Sequence, residues 1–585
     1  MKRRTFFAAL ASSAAGASLL SARAQNPPNM DRPDMHPGNR QNGASFASRS
    51  TVWGANGAVA TGHPMATMVG IEILKQGGSA IDAAIAANAA LGVVEPTANG
   101  IGGDAFCLLW DPKEKKVMGL NGSGRSPEKF TAKIMASRAK DGDVPGLGLG
   151  SVTVPGCVDA WWSLHQKYGK LPWKDVIMPA AALADKGVPV PQAISMLMER
   201  GMRRFLAPNS GVEETENIKK LYLTRGRTPA EGEIFRNPDL AATLTKIADG
   251  GRDVYYEGEI ADRIEAYMKR IGGWMTKKDL AAHHAEWVAP LSINYKAGVS
   301  VYGMPPNSQG PTTLQMLNIL KHFDLKGMGL MSAASVHHMA EAKRLAFEDA
   351  SRYYGDPAFS KIPIEHLLSD AYCADRAKLI SPDKPMARAF PGDAPAKGDT
   401  TYLSTSDSSG MMVSLIQSNF AGMGSGLMPD GMGFIFHNRG SNFVIKKGSP
   451  NDYAPKKRPF NTIIPGFATK DGAPWMAFGV MGGSMQPQGQ TQIITNMADH
   501  GLDPQAAGDC PRWRHDRGED GSMGQLSLES GAPDATRAKL IEMGWKVADK
   551  RSFDSGYGGY QNVMKGAEAY GAATEMRKDG LALAY

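Results

Sequence analysis

The stretch Gly398-Asp399-Thr400-Thr401-Tyr402-Leu403-Ser404-Thr405-Ser406-Asp407-Ser408-Ser409-Gly410-Met411-Met412-Val413-Ser414-Leu415-Ile416-Gln417-Ser418 separates two unlike parts of the chain. Before it, residues 381–398 carry four prolines and two glycines with little periodicity, the composition of an exposed linker. Inside it, 401–406 and 411–418 read as strands joined by the turn Asp407-Ser408-Ser409-Gly410. A Thr-Thr pair at a strand start needs no explanation beyond β-propensity. Thr400 stands where linker meets strand, a place that by itself assigns no chemistry.

Downstream the β-like character continues through 433–437, 463–468 and 475–480, with a helix expected over 490–500. Upstream the pattern is mostly helical. Residues 66–76 have helical apolar spacing and stop at Gly77-Gly78. Ser79 then reads as an N-cap, with Asp82 three residues on, opening an alanine-rich helix over 80–91. Strands are expected over 105–110 and 117–120, and helices over 158–168, 241–247, 313–322 and 333–350. A helix-rich first part and a strand-rich last part suggest two layers of helix around packed sheets.

The chain has 585 residues, too many for one small core, so two domains or one large domain with insertions are expected. Its formal charge is +7, and Lys2, Arg3, Arg4 and Arg23 account for four of those charges. No long basic run with interleaved aromatics occurs, which argues against a nucleic-acid partner. Residues 1–24 read as an export signal: a basic start, an apolar 6–20 segment and Ala22-Arg23-Ala24 as the cleavage site. Arg3-Arg4-Thr5-Phe6-Phe7 resembles a twin-arginine signal, and a Sec signal containing two arginines is the alternative. No segment reaches the roughly 20 apolar residues of a stable membrane span. A periplasmic or secreted location is expected. Residues 25–50, rich in Pro, Asn, Gly and Arg, read as a disordered lead-in.

Cys107, Cys157, Cys373 and Cys510 lie far apart and form no C-x-x-C pair, so buried free thiols are expected rather than a zinc site. His283-His284 and His337-His338 are adjacent pairs whose side chains point apart on a helix, and no metal or cofactor is expected. No Walker A, H-E-x-x-H or G-x-S-x-G pattern is present. Met423, Met428, Met432, Met481 and Met485 lie near glycine loops, where ordinary packing is expected.

Three pieces remain in order: Thr400-Thr401; Ser418-Asn419 with the loop Gly422-Met423-Gly424-Ser425-Gly426; and Gly482-Gly483-Ser484 after the 475–480 strand. Together with Gly77-Gly78-Ser79-Ala80-Ile81-Asp82, Glu95-Pro96, Gly100-Ile101-Gly102-Gly103, Tyr168-Gly169-Lys170-Leu171-Pro172-Trp173, Pro305-Pro306-Asn307-Ser308, Gly355-Asp356-Pro357, Lys457-Arg458-Pro459 and Arg577-Lys578-Asp579-Gly580, this order resembles the γ-glutamyltransferase family over essentially the whole mature chain. The resemblance implies an α/β (α+β) fold, a four-layer αββα sandwich of the N-terminal-nucleophile hydrolase type. It implies self-cleavage between Asp399 and Thr400 into a large chain, 51–399, and a small chain, 400–585, that stay together as a heterodimer. Thr400 is then nucleophile, its freed α-amine the base, and the N–H groups of Gly482 and Gly483 the oxyanion donors. Ser418 stands where the family has a helper threonine. The implied substrate is a γ-glutamyl or dicarboxylic acyl amide.

The sequence departs from the family around the acyl group. Asn442 occupies the position of the acidic residue that holds the substrate amine. Arg439 stands where an acidic or amide side chain is usual, Phe420 where an asparagine is usual, and Asn461-Thr462 where paired serines are usual. Arg125, in Gly124-Arg125-Ser126, is the neighbour that could replace the usual carboxylate-binding arginine. A cation at Arg439 repels an ammonium and attracts a carboxylate. Two further readings follow: an acylase removing a glutaryl-like side chain, as in cephalosporin acylases, and an uncut relative that only binds peptides. If the first of these holds, Asn442→Asp is expected to improve γ-glutamyl turnover. The 443–457 loop reads as too short for a lid, leaving a pocket open to water and larger acyl donors.

Overall fold

Residues along each central strand alternate between two surroundings, and that alternation sets the layering. The computed structural model describes residues 46–140, 142–389, 399–518, 522–550 and 553–585. The expected signal, most of the lead-in and linker residues 390–398 lie outside these. Phe106, Leu108, Tyr402 and Ile416 face Phe467, Ala477 and Val563 between two sheets. Their neighbours Cys107, Leu109, Leu403 and Leu415 face the other way, onto Ile81, Ala84, Trp161 and Tyr255 of a helical layer. On the second sheet, Met476, Phe478 and Val480 face Leu317, Val336 and Ile493 of another helical layer. The order is helix, sheet, sheet, helix, as expected.

The first sheet has seven strands, ordered Leu581–Ala584, Gly57–Thr61, Asp399–Asp407, Met412–Phe420, Asp104–Asp111, Lys116–Gly122 and Glu286–Val288. The second is ordered Val52–Gly54, Tyr570–Thr574, Tyr560–Lys565, Ala473–Val480, Gly466–Lys470, Val299–Gly303 and Leu291–Asn294. Neighbouring strands in both run antiparallel. Segments before and after Thr400 supply strands to both sheets, so the two parts share their cores rather than forming two domains.

Ser79 caps the Ala80–Val94 helix with the expected reciprocal box: its side chain accepts from the Asp82 N–H, and the Asp82 carboxylate accepts from the Ser79 N–H. That helix is buried nearly all round, which is why alanine fills it. The helix expected over 241–247 is part of Pro238–Tyr256, kinked at Gly251, where φ is 64°. The four cysteines are free and buried. Three expectations needed correction. The strand expected over 463–468 runs Gly466–Lys470, because Ile463 and Ile464 give their N–H groups to Asn461 Oδ1 and Gln486 Oε1 instead of a neighbouring strand. Residues 433–437 are not a strand: Gly433 has φ 71°, and the segment bonds irregularly to Ser425, Leu427 and Gly102. The helix expected at 490 begins at Met485, because Pro487 in its first turn forfeits no helical hydrogen bond.

Candidate active site

The strand Asp399–Asp407 pairs with Met412–Phe420, and the register slips at its first residues. Asp399 lies opposite Phe420 but Thr401 lies opposite Gln417, so Thr400 falls in a bulge. A bulge re-aims side chains. Here it brings the Thr400 hydroxyl to Ser418, donating to Ser418 Oγ at 3.2 Å. Ser418 Oγ also accepts from the Phe420 N–H at 2.7 Å. That bond is reachable because Phe420 adopts φ 75°. Both hydroxyl residues are buried.

Thr401 points to the helical side. Its hydroxyl donates to Glu95 Oε2 at 3.1 Å and accepts from Asn99 Nδ2 at 3.1 Å. Lys578 Nζ donates to Glu95 Oε1 at 3.2 Å. A buried ion pair thus anchors the strand one residue past Thr400. In the sequence Glu95 and Lys578 are only members of motifs; Glu95 ends a helix 306 residues from Thr401, so no local pattern links them.

Gly482 and Gly483 end the strand Ala473–Val480 and precede the helix Met485–Ala498, with φ of 112° and 57°. These conformations belong to glycine. Neither N–H donates to a backbone carbonyl among the described residues. The turn is fixed instead through its carbonyls. Gly482 O accepts from the Met485 N–H at 3.0 Å, and Gly483 O accepts from Gln309 Nε2 at 2.9 Å. Two adjacent N–H groups at a helix N-terminus form a site for developing negative charge.

Arg439 and Asn461 converge on Asp104, the first residue of the Asp104–Asp111 strand, and Thr462 joins them through Arg439. Arg439 Nε donates to Asp104 Oδ2 at 3.2 Å, and Arg439 Nη1 donates to Thr462 Oγ1 at 2.9 Å. Asn461 Nδ2 donates to the same Asp104 oxygen at 3.1 Å. Asp104 is the cross-strand partner of Ser418, so this cluster adjoins the Thr400 hydroxyl. Arg439 is fully buried with its guanidinium 4.6 Å from the Phe420 ring centre. Burial pulls its pKa down to about 10, against the pull of Asp104. It therefore stays charged at neutral pH, but Asp104 balances that charge, and the simple repulsion of an ammonium is weaker than the sequence suggested. Burial also holds the nearby His437 below the usual histidine range, although Asp104 pulls the other way.

Asn442 is buried on the Arg439–Asn442 turn and donates through Nδ2 to the Phe460 carbonyl at 3.0 Å. Arg125 sits apart from this network. Its Nη2 donates to Glu286 Oε1 at 2.9 Å, and Arg458 Nη1 donates to Glu286 Oε2 at 2.8 Å. Burial raises the Glu286 carboxyl, but hydrogen bonds from Arg458 and Arg125 outweigh it and bring the pKa to about 2. The 443–457 loop is tied down: Phe443 and Tyr453 pack on Phe130, and Tyr453 Oη donates to the Phe130 carbonyl at 2.6 Å.

A buried hydroxyl pair at a strand bulge and a glycine turn before a helix lie in this helix–sheet–sheet–helix fold, and the sequence matches the family described as gamma-glutamyltranspeptidase over residues 66–585. The chain belongs to the γ-glutamyltranspeptidase family. Among relatives of this family, the glutathione hydrolase-like YwrD proenzyme of Bacillus subtilis (strain 168) is 37% identical, over 86% of this chain and 93% of the relative. The glutathione hydrolase proenzyme of Escherichia coli (strain K12) is 34% identical, over 90% and 92%. A crystal structure of cephalosporin acylase from Bacillus halodurans superposes with a TM-score of 0.85 at 39% identity, covering 92% of this chain and 97% of that one. The structure pairs the Thr400 hydroxyl with Ser418 and sets Gly482 and Gly483 in the turn before the Met485–Ala498 helix.

Proposed function

We propose that this protein is a self-processing γ-glutamyl amide hydrolase and acyltransferase that works through a Thr400 ester. The carrying observation is the Thr400 hydroxyl held by Ser418 at the bulge. Processing begins when Thr400 Oγ attacks the Asp399 carbonyl. The Asp399–Thr400 C–N bond breaks, an ester forms, and water hydrolyses it, leaving a carboxylate on Asp399 and a free amine on Thr400. That amine has a reference pKa near 8, so a useful fraction is neutral at about pH 7 and can take the Thr400 Oγ proton. Attack on a substrate amide generates an oxyanion for the Gly482 and Gly483 N–H groups. The leaving amine takes the proton, and water or a second amine releases the acyl group.

Residues 51–399 and 400–585 are then the two chains of a heterodimer, held by strands both contribute to each sheet. The basic, apolar residues 1–24 support export to the periplasm or beyond. A second reading, an acylase for glutaryl-like side chains, is favoured by the cephalosporin acylase likeness and by a neutral Asn442 at the amine-binding position.

Intact-mass analysis tests the core of the proposal. Two chains separated before Thr400 are expected, with cysteinylglycine released from glutathione, and Thr400→Ala is expected to stay whole and inert. Active material in which 399 and 400 remain joined would refute it.

A further inference from the structure

Backbone bonds tie the Gly482-Gly483 turn to its own helix. The Met485 N–H donates to Gly482 O at 3.0 Å, and the Gln486 N–H donates to Gly483 O at 3.1 Å. Gln488 Nε2, from the same helix, donates to Ser484 O at 3.0 Å. These bonds hold the shape of the turn. They do not set where it stands relative to Thr400, because turn and helix can shift as one body. Among the described residues, one side chain from outside the helix bonds a carbonyl of residues 482–484: Gln309 Nε2 donates to Gly483 O at 2.9 Å.

Gln309 is itself braced against the segment 461–463. The Asn461 N–H donates to Asn307 O at 2.8 Å, the Gln309 N–H donates to Asn461 O at 2.9 Å, and Ser308 Oγ donates to Ile463 O at 3.2 Å. The Gln309 backbone is thereby set at the start of the Gly310–Leu320 helix. Its side chain is buried, and Nε2 donates to Thr462 O as well as to Gly483 O. Both amide protons are used. One planar amide therefore joins the Asn461-Thr462 segment, which bonds to Asp104 and Arg439, to the glycine turn.

We infer that Gln309 is a positioning residue for acyl transfer, holding the glycine turn where the Gly482 and Gly483 N–H groups meet the oxyanion formed at Thr400. This rests on the Thr400 reading above and adds to it a residue from the other side of the cleavage point. The ground-state amide carries no oxyanion, so removing the tie weakens an interaction made in the transition state. The loss falls on kcat rather than on KM. A displaced donor is weakened and not abolished, so the fall is smaller than the roughly 100- to 1000-fold of a lost donor.

The test compares processed wild type with Gln309→Met and Gln309→Glu, each checked by intact mass and a thermal melt. The substrate is γ-glutamyl or glutaryl p-nitroanilide, whichever the wild type cleaves faster. The inhibitor is the boronic acid in which boron replaces the reacting carbonyl carbon of that donor. Thr400 Oγ adds to the boron, its proton passes to the Thr400 amine, and the tetrahedral borate sets an oxygen where the oxyanion forms. Gln309→Met, similar in size but without N–H groups, is expected to lose about 30-fold in kcat with KM within about threefold, and to bind the boronate more weakly by a similar factor. In Gln309→Glu the protonated acid can donate to one carbonyl, whereas the carboxylate repels both. Its kcat relative to wild type is therefore expected to fall as pH rises from about 5 to about 8, a limb that Gln309→Met lacks. Variants that melt earlier but match the wild type in kcat and boronate affinity overturn the inference and leave the Thr400 reading standing. So does a fall in kcat with boronate affinity unchanged. Wild type that stays uncut, or is cut and cleaves neither anilide, overturns both.

Discussion

Gly482→Ala tests the oxyanion turn by a conflict the structure sets up. Gly482 sits at φ 112°, and an added Cβ would meet Gly558 Cα and Met485 Cβ, each at 3.3 Å. A side chain held in so unfavourable a region costs about 1–3 kcal/mol. The backbone has two ways out. If it keeps its angles, the N–H groups stay aimed and the cost appears as stability, a fall of a few degrees in Tm. If it relaxes, stability recovers but the Gly482 or Gly483 N–H turns away. Losing one oxyanion donor costs about 2.7–4 kcal/mol, a fall in kcat of roughly 100- to 1000-fold. The Met485 N–H bond to Gly482 O at 3.0 Å couples the turn to the helix and resists relaxation. A thermal melt and steady-state kinetics on the same preparation read both quantities. A variant unchanged in Tm and in kcat would refute the assignment of strain and of oxyanion role together.

Three further outcomes follow from the same geometry. Ser418→Ala orphans the Phe420 N–H and frees the Thr400 hydroxyl, costing about 1–3 kcal/mol of stability and slowing both cleavage and turnover, whereas Ser418→Thr keeps the oxygen and is expected to restore them; a time course by intact mass distinguishes the two. Asn442→Asp sets a carboxylate against the Phe460 carbonyl, which now accepts at 3.0 Å, so denaturant titration is expected to show a loss of roughly 1–3 kcal/mol in stability. Burial lowers the His63 pKa from 6.5 to about 4. The unfolded chain therefore binds the extra proton first, and stability present above pH 6.5 is lost as pH falls toward 4, by about 3 kcal/mol from this residue. Urea midpoints flat between pH 7 and 4 in the wild type but falling in His63→Gln would contradict it.

Much of the fold was legible locally. The Ser79–Asp82 box, the glycine stops and the Asp407–Gly410 turn act over a few residues, so sequence alone places the elements they bound. Ser418 and Gly482-Gly483 were singled out by resemblance to the family, since a hydroxyl or a glycine pair taken alone carries little information. Residues 433–437 were misread because their apolar spacing serves packing rather than a strand ladder. Asp104 was missed for a different reason: nothing near it in sequence reveals that Arg439, 335 residues away, needs a counter-charge.

By itself, then, the sequence placed most of the helices and strands, marked the change of character at Thr400, and supplied residue types that can carry acyl transfer. Those depend on backbone propensity and on functional groups that one residue contains. The tertiary structure alone decided that Arg439 is neutralised by Asp104, that Arg125 is taken by Glu286, and that Arg439 Nη2 and Asn442 Oδ1 have no hydrogen-bond partner among the described residues. Charge balance and hydrogen-bond satisfaction belong to groups brought together from distant strands, and no local pattern encodes them.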